Sequence, residues 1–461
     1  MSVPLTLACT PASPTYPVTD QPRLVYLLVE VIGGMGAGAL PVNLGLVIDS
    51  SDSMRIRLVT DEQFSQLARY GNAQEVLTDG IPAYQITSVP GEVLSKFPRR
   101  IDYVSEALVI ASEYLRQTDC FSLVAFAAQA VVMIPSTSGR ERSRLVQAAR
   151  ELESLSLGDA THMDQGLALS LGEVQRKPPE RSGGGCAGRL ILLTDGHTRN
   201  VNECYAWAKK ARQMGLTLST MGIGSEFNEE LLIPLADLTG GNAYYIETPD
   251  QIPAAFRKEL GAALRVSYRN VDVKIRFPAG VTLRRAHRVL PQLGNFDPGP
   301  EMGGSYALLL SNYDPTEPQA LLLEIVIPPW KTGSYRLAQA VLSWDDPDGN
   351  PARPNQRQDV IIQMAETAPI TPNQHVMNII EKVGAFKLGT QALEEAQRGD
   401  RSAATQRLRQ AATRLLDMGE LGLADAMRRQ ADMLESDGQL DPNATKKLRY
   451  ETRRISQRPD G

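Results

Sequence analysis

Val42-Asn43-Leu44-Gly45-Leu46-Val47-Ile48 runs without a break into Asp49-Ser50-Ser51-Asp52-Ser53-Met54. A nearly continuous apolar run of this length predicts a strand covered on both faces, as in a parallel sheet. The residues after it place a carboxylate at Asp49 and hydroxyls at Ser51 and Ser53, on the loop leaving the strand's carboxyl end. Open α/β sheets bind ligands at such loops. Every donor is a hard oxygen, which selects Mg²⁺, Mn²⁺ or Ca²⁺ over softer metals. A D-x-S-x-S string alone is a common turn. Its weight comes from two more loops further on. Leu157-Gly158-Asp159-Ala160-Thr161-His162-Met163 precedes a helical pattern and offers Thr161, and Leu192-Leu193-Thr194-Asp195-Gly196 places Asp195 straight after a second buried run.

Outward from these loops, apolar strands alternate with helical stretches from residue 41 to about 264. Ile101, Val104, Leu108, Ala111 and Leu115 recur at helical spacing, residues 121–134 read as one or two strands, and residues 252–264 as a final helix. Alternation of this kind predicts a doubly wound α/β sheet. Residues 55–98 interrupt it as an insertion, with a helix at 61–70, a strand at 84–89 and the acidic residues Glu75, Asp79 and Glu92. The insertion leaves the oxygen-rich loop directly, so it is expected near the site, where one of its carboxylates is a candidate ligand.

Before this unit, residues 23–32 form a β-rich apolar run, with Gly33-Gly34-Met35-Gly36 as its turn. After it, Val271-Asp272-Val273-Lys274-Ile275-Arg276-Phe277 alternates strictly, the mark of a half-buried antiparallel strand. Strands follow at 306–310, 320–327, 333–344 and 359–364. These predict a β-sandwich over 265–368, with residues 1–40 supplying further strands to it, so that the α/β domain of 41–264 is an insertion within the sandwich. Past the linker Pro369-Ile370-Thr371-Pro372, residues 373–461 are helical, with helices at 373–397, 400–417, 420–436 and 441–457. Helical hairpins of this kind resemble tetratricopeptide-like repeats, without their diagnostic aromatic and proline positions. The fold class is multidomain α/β: a doubly wound domain inserted in a β-sandwich, followed by a helical domain.

The 461 residues carry a net charge of −5 and only 6% aromatics, which argues against nucleic acid as a partner. No apolar stretch approaches the ~20 residues of a membrane span. Cys9, Cys120, Cys186 and Cys204 show no paired spacing and are read as free thiols of a reducing, cytoplasmic compartment. Leu5-Thr6-Leu7-Ala8-Cys9 echoes a lipoprotein cleavage box, but no Lys or Arg precedes it and the apolar run is short, so no leader is expected.

The segment from about 41 to 263 resembles a von Willebrand factor A domain with a metal-ion-dependent adhesion site, down to Met221-Gly222-Ile223-Gly224, Thr239-Gly240-Gly241 and Tyr244-Tyr245. The resemblance implies that Ser51, Ser53 and Thr161 are oxygen ligands of a divalent cation. It implies that Asp49 and Asp195 act mainly through water, and that one position stays open for a partner's Asp or Glu. Where the family has glycine between the serines, this chain has Asp52. Asp52, His162 and His197 form the expected rim, and His287 and His375 read as ordinary residues. The layout also resembles bacterial proteins labelled "calcium-activated chloride channel-like", a label that the lack of a spanning stretch does not support. Some bacterial relatives work beside AAA+ ATPases, which puts such an ATPase among the implied partners. No nucleophile elbow, P-loop, HExxH or CxxC pair is present, so no enzyme is expected. The alternative is a metal-assisted hydrolase using the same site.

Overall fold

The structure is a computed structural model. It describes residues 5–33, 38–59, 61–69, 72–78, 81–86, 90, 93, 97–158, 160–176, 185–224, 226–345, 353–367 and 371–457. The chain divides into two compact units, one of residues 39–266 and one of residues 1–38 with 267–461.

In chain order the elements are β1 (Leu5–Pro11), β2 (Thr15–Pro17) and β3 (Arg23–Gly33), then β4 (Val42–Asp49), α1 (Asp61–Arg69), β5 (Ala73–Thr78), β6 (Ile81–Ile86) and α2 (Arg100–Tyr114). They continue with β7 (Cys120–Phe126), β8 (Ala130–Ser138), α3 (Ser143–Ser154), α4 (Met163–Gln175), β9 (Ala187–Thr194), α5 (Val201–Gln213), β10 (Thr217–Ile223), α6 (Glu229–Thr239), β11 (Ala243–Ile246) and α7 (Ile252–Leu264). The second unit resumes with β12 (Tyr268–Arg276), β13 (Thr282–Leu290), β14 (Gly294–Phe296), β15 (Ser305–Tyr313), β16 (Gln319–Ile327), β17 (Gly333–Ser343) and β18 (Asn355–Ala365). It closes with α8 (Gln374–Gln397), α9 (Arg401–Asp417), α10 (Leu421–Ser436) and α11 (Pro442–Thr452).

The α/β unit is a six-stranded sheet in the order β11-β10-β9-β4-β7-β8, parallel except for β8. Chain order reverses between β4 and β9, the crevice where such sheets bind ligands. β4 alternates between two covered faces. Leu44, Leu46 and Ile48 pack with α2, α3 and α7, while Gly45 faces Ser170 and Val174 of α4. Its continuous apolar run therefore has a physical cause, since neither face of the strand meets water. Of the insertion, α1 and the antiparallel β5–β6 pair are described, and residues 87–89 of the expected strand are not. Asp79, Glu92 and the side chain of Glu75 lie outside the described residues, as does most of the expected turn at 34–36. The insertion's two ends are joined: Leu58 N donates to Pro98 O at 2.8 Å, and Arg57 and Arg99 form an antiparallel bridge.

The other unit holds two five-stranded sheets, β1-β3-β16-β13-β14 and β15-β12-β17-β18-β2, whose facing sides share one apolar core. β3, from before the α/β unit, pairs antiparallel with β16, from after it. Both strands are covered twice. Val25, Leu27 and Val29 of β3 face the shared core, while Leu28 joins Ala320, Leu322 and Val289 against the helices. The helices are capped as their sequence suggests. Asn373, Asp400 and Asp441 accept backbone N–H bonds at three N-termini, and Gly399, Gly419 and Gly438 take positive φ after C-termini.

Glu324 of β16 is buried on the helix-facing side of the first sheet. His287 Nε2 lies 3.2 Å from its Oε1, and Lys387 of α8 donates to the same oxygen. The hydrogen bond from His287, then Lys387, holds the Glu324 carboxyl at about 2 against the opposing effect of burial. A depressed carboxyl stabilises the fold above its unfolded pKa, and that contribution is lost as pH falls through the folded value. Urea denaturation at descending pH should therefore show stability falling between the ordinary carboxylate range and about 2. Glu324→Gln should flatten that descent, and an unchanged descent would remove the triad as its cause.

Candidate metal centre

Four side chains from two loops meet where β4 and β9 end. Asp49 closes β4, Ser51 and Ser53 follow on the loop and the 3-10 turn Asp52–Arg55, and Asp195 follows β9. All four are essentially buried. Ser51 Oγ lies 2.6 Å from Asp49 Oδ1, Ser51 Oγ lies 2.9 Å from Ser53 Oγ, and Ser53 Oγ lies 2.8 Å from Asp195 Oδ1. Asp49 is fixed further by the backbone N–H of Ser51 at 2.9 Å and by the Thr194 hydroxyl, which donates to Oδ2 at 2.5 Å.

A proton count exposes what this chain of oxygens lacks. Three oxygen–oxygen links join two carboxylates through two serine hydroxyls, and each hydroxyl has one proton to give. With both carboxylates ionised, one link has no hydrogen in it, and lone pairs face each other. Such a cluster is satisfied by an added proton or by a cation. Burial, then the charge of Asp195, pushes the Asp49 carboxyl up to about 7, while Ser51 and Thr194 pull it down. A cation beside both carboxylates would reverse that push.

Thr161, on the loop before α4, is placed at the same crevice by Gly196. A Cβ at position 196 would stand 3.2 Å from Thr161 Oγ1, so the missing side chain is what lets the hydroxyl come close. Asp159 of the same loop lies outside the described residues. Asp52 sits in the first turn of the 3-10 helix, partly exposed, and its charge acts on Arg55. His197 is exposed. His162 is partly exposed; its buried Nδ1 lies 3.9 Å from Asp164 Oδ1, and neither atom has a hydrogen-bond partner among the described residues.

The sequence reading missed three residues here. Thr194 clamps Asp49. Arg55 ties the loop to the end of α3, donating to Ser50 Oγ at 3.0 Å, Leu152 O at 3.2 Å and Glu153 O at 2.7 Å. Arg100 pairs with Asp195 Oδ2 at 2.6 Å. Only Arg100 carried any signal, as one of two arginines where the chain returns from the insertion.

The donor set fits a hard divalent cation: two carboxylates and hydroxyls, all oxygen, with no sulfur or imidazole among the four linked side chains. Among the described residues no group of three or more His, Cys, Asp or Glu gathers to hold a metal, here or elsewhere, so a cation at this site would rest on two carboxylates and on hydroxyls. None of the four cysteines forms a disulfide, and no described helix is long and apolar enough to cross a membrane.

Comparison with known proteins identifies two segments. Residues 93–258 match the von Willebrand factor type A domain, and residues 374–458 match the Sll0103-like, C-terminal alpha-helical domain. The first match begins within the last residues of the insertion, so β4 and the Asp49–Ser53 loop precede it, and β4 joins the same sheet by pairing with β7 and β9. The chain is 28% identical over 189 residues to the Uncharacterized protein YfbK of Escherichia coli (strain K12), which covers 40% of this chain and 32% of that protein. It is 23% identical over 365 residues to the Uncharacterized protein sll0103 of Synechocystis, covering 78% of this chain and 85% of that protein. The chain thus spans about a third of the length of the first relative and most of the second. Among solved structures, a von Willebrand factor type A protein from Catenulispora acidiphila superposes with a TM-score of 0.73 at 15% identity, covering 97% of this chain and 96% of that one. The ArnB paralog VWA2 from Sulfolobus acidocaldarius superposes with a TM-score of 0.53 at 15% identity, covering 99% and 100%. At such identities the likeness is one of fold.

Proposed function

From the von Willebrand factor type A domain that this chain carries, we propose that it is a protein-interaction protein that binds a divalent cation and uses it to hold an aspartate or glutamate of a protein partner. Mg²⁺ is the proposed ion, with Mn²⁺ and Ca²⁺ as substitutes. The observation that carries the reading is the proton-deficient chain Asp49–Ser51–Ser53–Asp195 at the sheet's switch point. A bound cation supplies positive charge and an exchangeable position that a carboxylate oxygen can take.

The protein's own residues do the rest. Ser51, Ser53 and Thr161 are the proposed oxygen donors, neutral groups that leave the ion's charge largely undiminished. Asp49 and Asp195 supply the balancing negative charge, Asp49 held by Thr194 and Asp195 by Arg100. Asp52, His162 and His197 form the rim that a partner meets. The two five-stranded sheets are read as one β-sandwich into which the α/β domain is inserted in the chain. That sandwich and the helical domain are the proposed seat of a second partner, which makes the protein an adaptor rather than an enzyme. An AAA+ ATPase is the proposed second partner, and the cytoplasm the proposed location.

A pull-down compares wild type with Asp49→Ala, each with and without EDTA. Partners should be captured by wild type in Mg²⁺ and lost in either other condition. An identical set of bound proteins in every arm would sink the cation-gripping reading.

A further inference from the structure

One cationic side chain that holds Asp195 also brings to the pocket a charge which that reading leaves unused. Arg100 is the first residue of α2, where the chain returns from the insertion. Its Nη1 lies 2.6 Å from Asp195 Oδ2 and 3.2 Å from Ser53 O, and its side chain is 15% exposed. The serine chain uses the other carboxylate oxygen, Oδ1. Arg100 and the serine chain therefore hold Asp195 at different atoms and do not compete for one oxygen. Gly224, just past β10, flanks the guanidinium: a Cβ there would stand 3.7 Å from Nη2.

The neighbouring arginines are engaged elsewhere. Arg55 donates to Ser50 Oγ and two carbonyls at the end of α3, Arg57 donates to Phe97 O, and Arg99 pairs with Asp102. Among the described residues, Arg100 is the guanidinium that ion-pairs with a carboxylate of the pocket. A divalent cation alone would balance the charges of Asp49 and Asp195. Arg100 adds one permanent positive charge to that balance. The same charge repels an incoming cation and attracts an anion to the loaded pocket.

We propose that Arg100 sets the anion selectivity of this pocket: it weakens the hold on the cation alone and strengthens the hold of the cation-loaded pocket on a carboxylate. The proposal rests on the cation-binding reading and assigns to this chain's own residue what makes the loaded site prefer an acidic partner. Coupling between cation and carboxylate is reciprocal, so it can be read from the cation's side.

The test uses Mn²⁺ as the cation probe, followed by the paramagnetic resonance signal of the free ion, and acetate as the carboxylate probe. Chelator-stripped full-length wild type, Arg100→Gln and Arg100→Lys are titrated with and without acetate, against a protein-free blank. Acetate should tighten Mn²⁺ binding to wild type and to Arg100→Lys. Arg100→Gln should bind Mn²⁺ about tenfold more tightly without acetate and should show a clearly smaller acetate effect than wild type, the scale expected of one nearby charge. If Arg100→Gln binds Mn²⁺ as wild type does or more weakly, or shows an acetate effect as large as that of wild type, the proposal is overturned. Loss of the acetate effect in Arg100→Lys, which keeps the charge, overturns it independently of how Arg100→Gln folds. A wild type that binds no Mn²⁺ overturns the cation-binding reading first, and this proposal with it.

Discussion

Replacing Glu259 by alanine is expected to destabilise the α/β unit by about 3–5 kcal/mol, the scale of a buried ion pair deprived of one partner. Glu259 of α7 is fully buried beneath the sheet. Its Oε1 accepts from Arg189 Nε at 2.6 Å, from Arg189 Nη2 and from Ser219 Oγ at 2.5 Å, and its Oε2 accepts from Tyr244 OH at 2.7 Å and Asn242 Nδ2 at 3.3 Å. Burial alone would raise this carboxyl, but the Arg189 charge and these hydrogen bonds hold it below the usual carboxylate range. One side chain thus gathers donors from β9, β10, the turn before β11 and β11 itself. Alanine would leave the Arg189 guanidinium buried without its anion. Arg189 and Ser219 stand near the amino ends of β9 and β10, while Asp195 lies past the carboxyl end of β9. The substitution should therefore lower the urea midpoint while leaving the cation affinity of the folded fraction unchanged. A loss under about 1 kcal/mol would mean that the network adds little beyond what packing supplies.

Asp195→Ala is expected to combine both kinds of damage. It removes one of the two carboxylates of the pocket and strips Arg100, which is 15% exposed, of its partner. The metal-free protein should lose about 3 kcal/mol, again the scale of a broken buried pair, and cation binding should disappear. Asp195→Asn separates the two effects. The amide oxygen can still accept from Arg100 or Ser53, so most of the stability should return. The charge does not return, and cation affinity should stay at least about tenfold below wild type. Thermal unfolding with and without Mg²⁺ reads both quantities. If Asp195→Asn were stabilised by Mg²⁺ as much as wild type, Asp195 would have no part in the site.

How much of this was legible in the sequence depends on which constraint each residue obeys. β4 and β9 were readable because strands covered on both faces must be apolar throughout. Asp49, Ser51, Ser53 and Asp195 were readable because they directly follow those strands, so local spacing alone brings them to one edge. β13 was not readable: Thr282-Leu283-Arg284-Arg285-Ala286-His287-Arg288 looks like a polar loop. Its ladder with β16 and the Glu324 carboxylate that receives His287 make it a strand, and both come from distant sequence. β14, three residues long, has too few positions to show any period. Arg55 and Glu259 were invisible, and Arg100 stood out only by its place at the insertion's end, for a related reason. Each meets partners at least five, and for the most part tens of, residues away, positions that only the folded sheet and the joined ends of the insertion bring near.

Whether the pocket holds a cation at all decides everything built on Asp49, Ser51, Ser53 and Asp195. Equilibrium dialysis of the chelator-stripped full chain against Mg²⁺, with metal analysis of both compartments, measures this without any partner. Wild type should show one saturable site, lost in Asp49→Ala and in the double variant Ser51→Ala/Ser53→Ala. Equal metal in the two compartments for wild type, or the same uptake by all three proteins, would contradict the cation-binding reading.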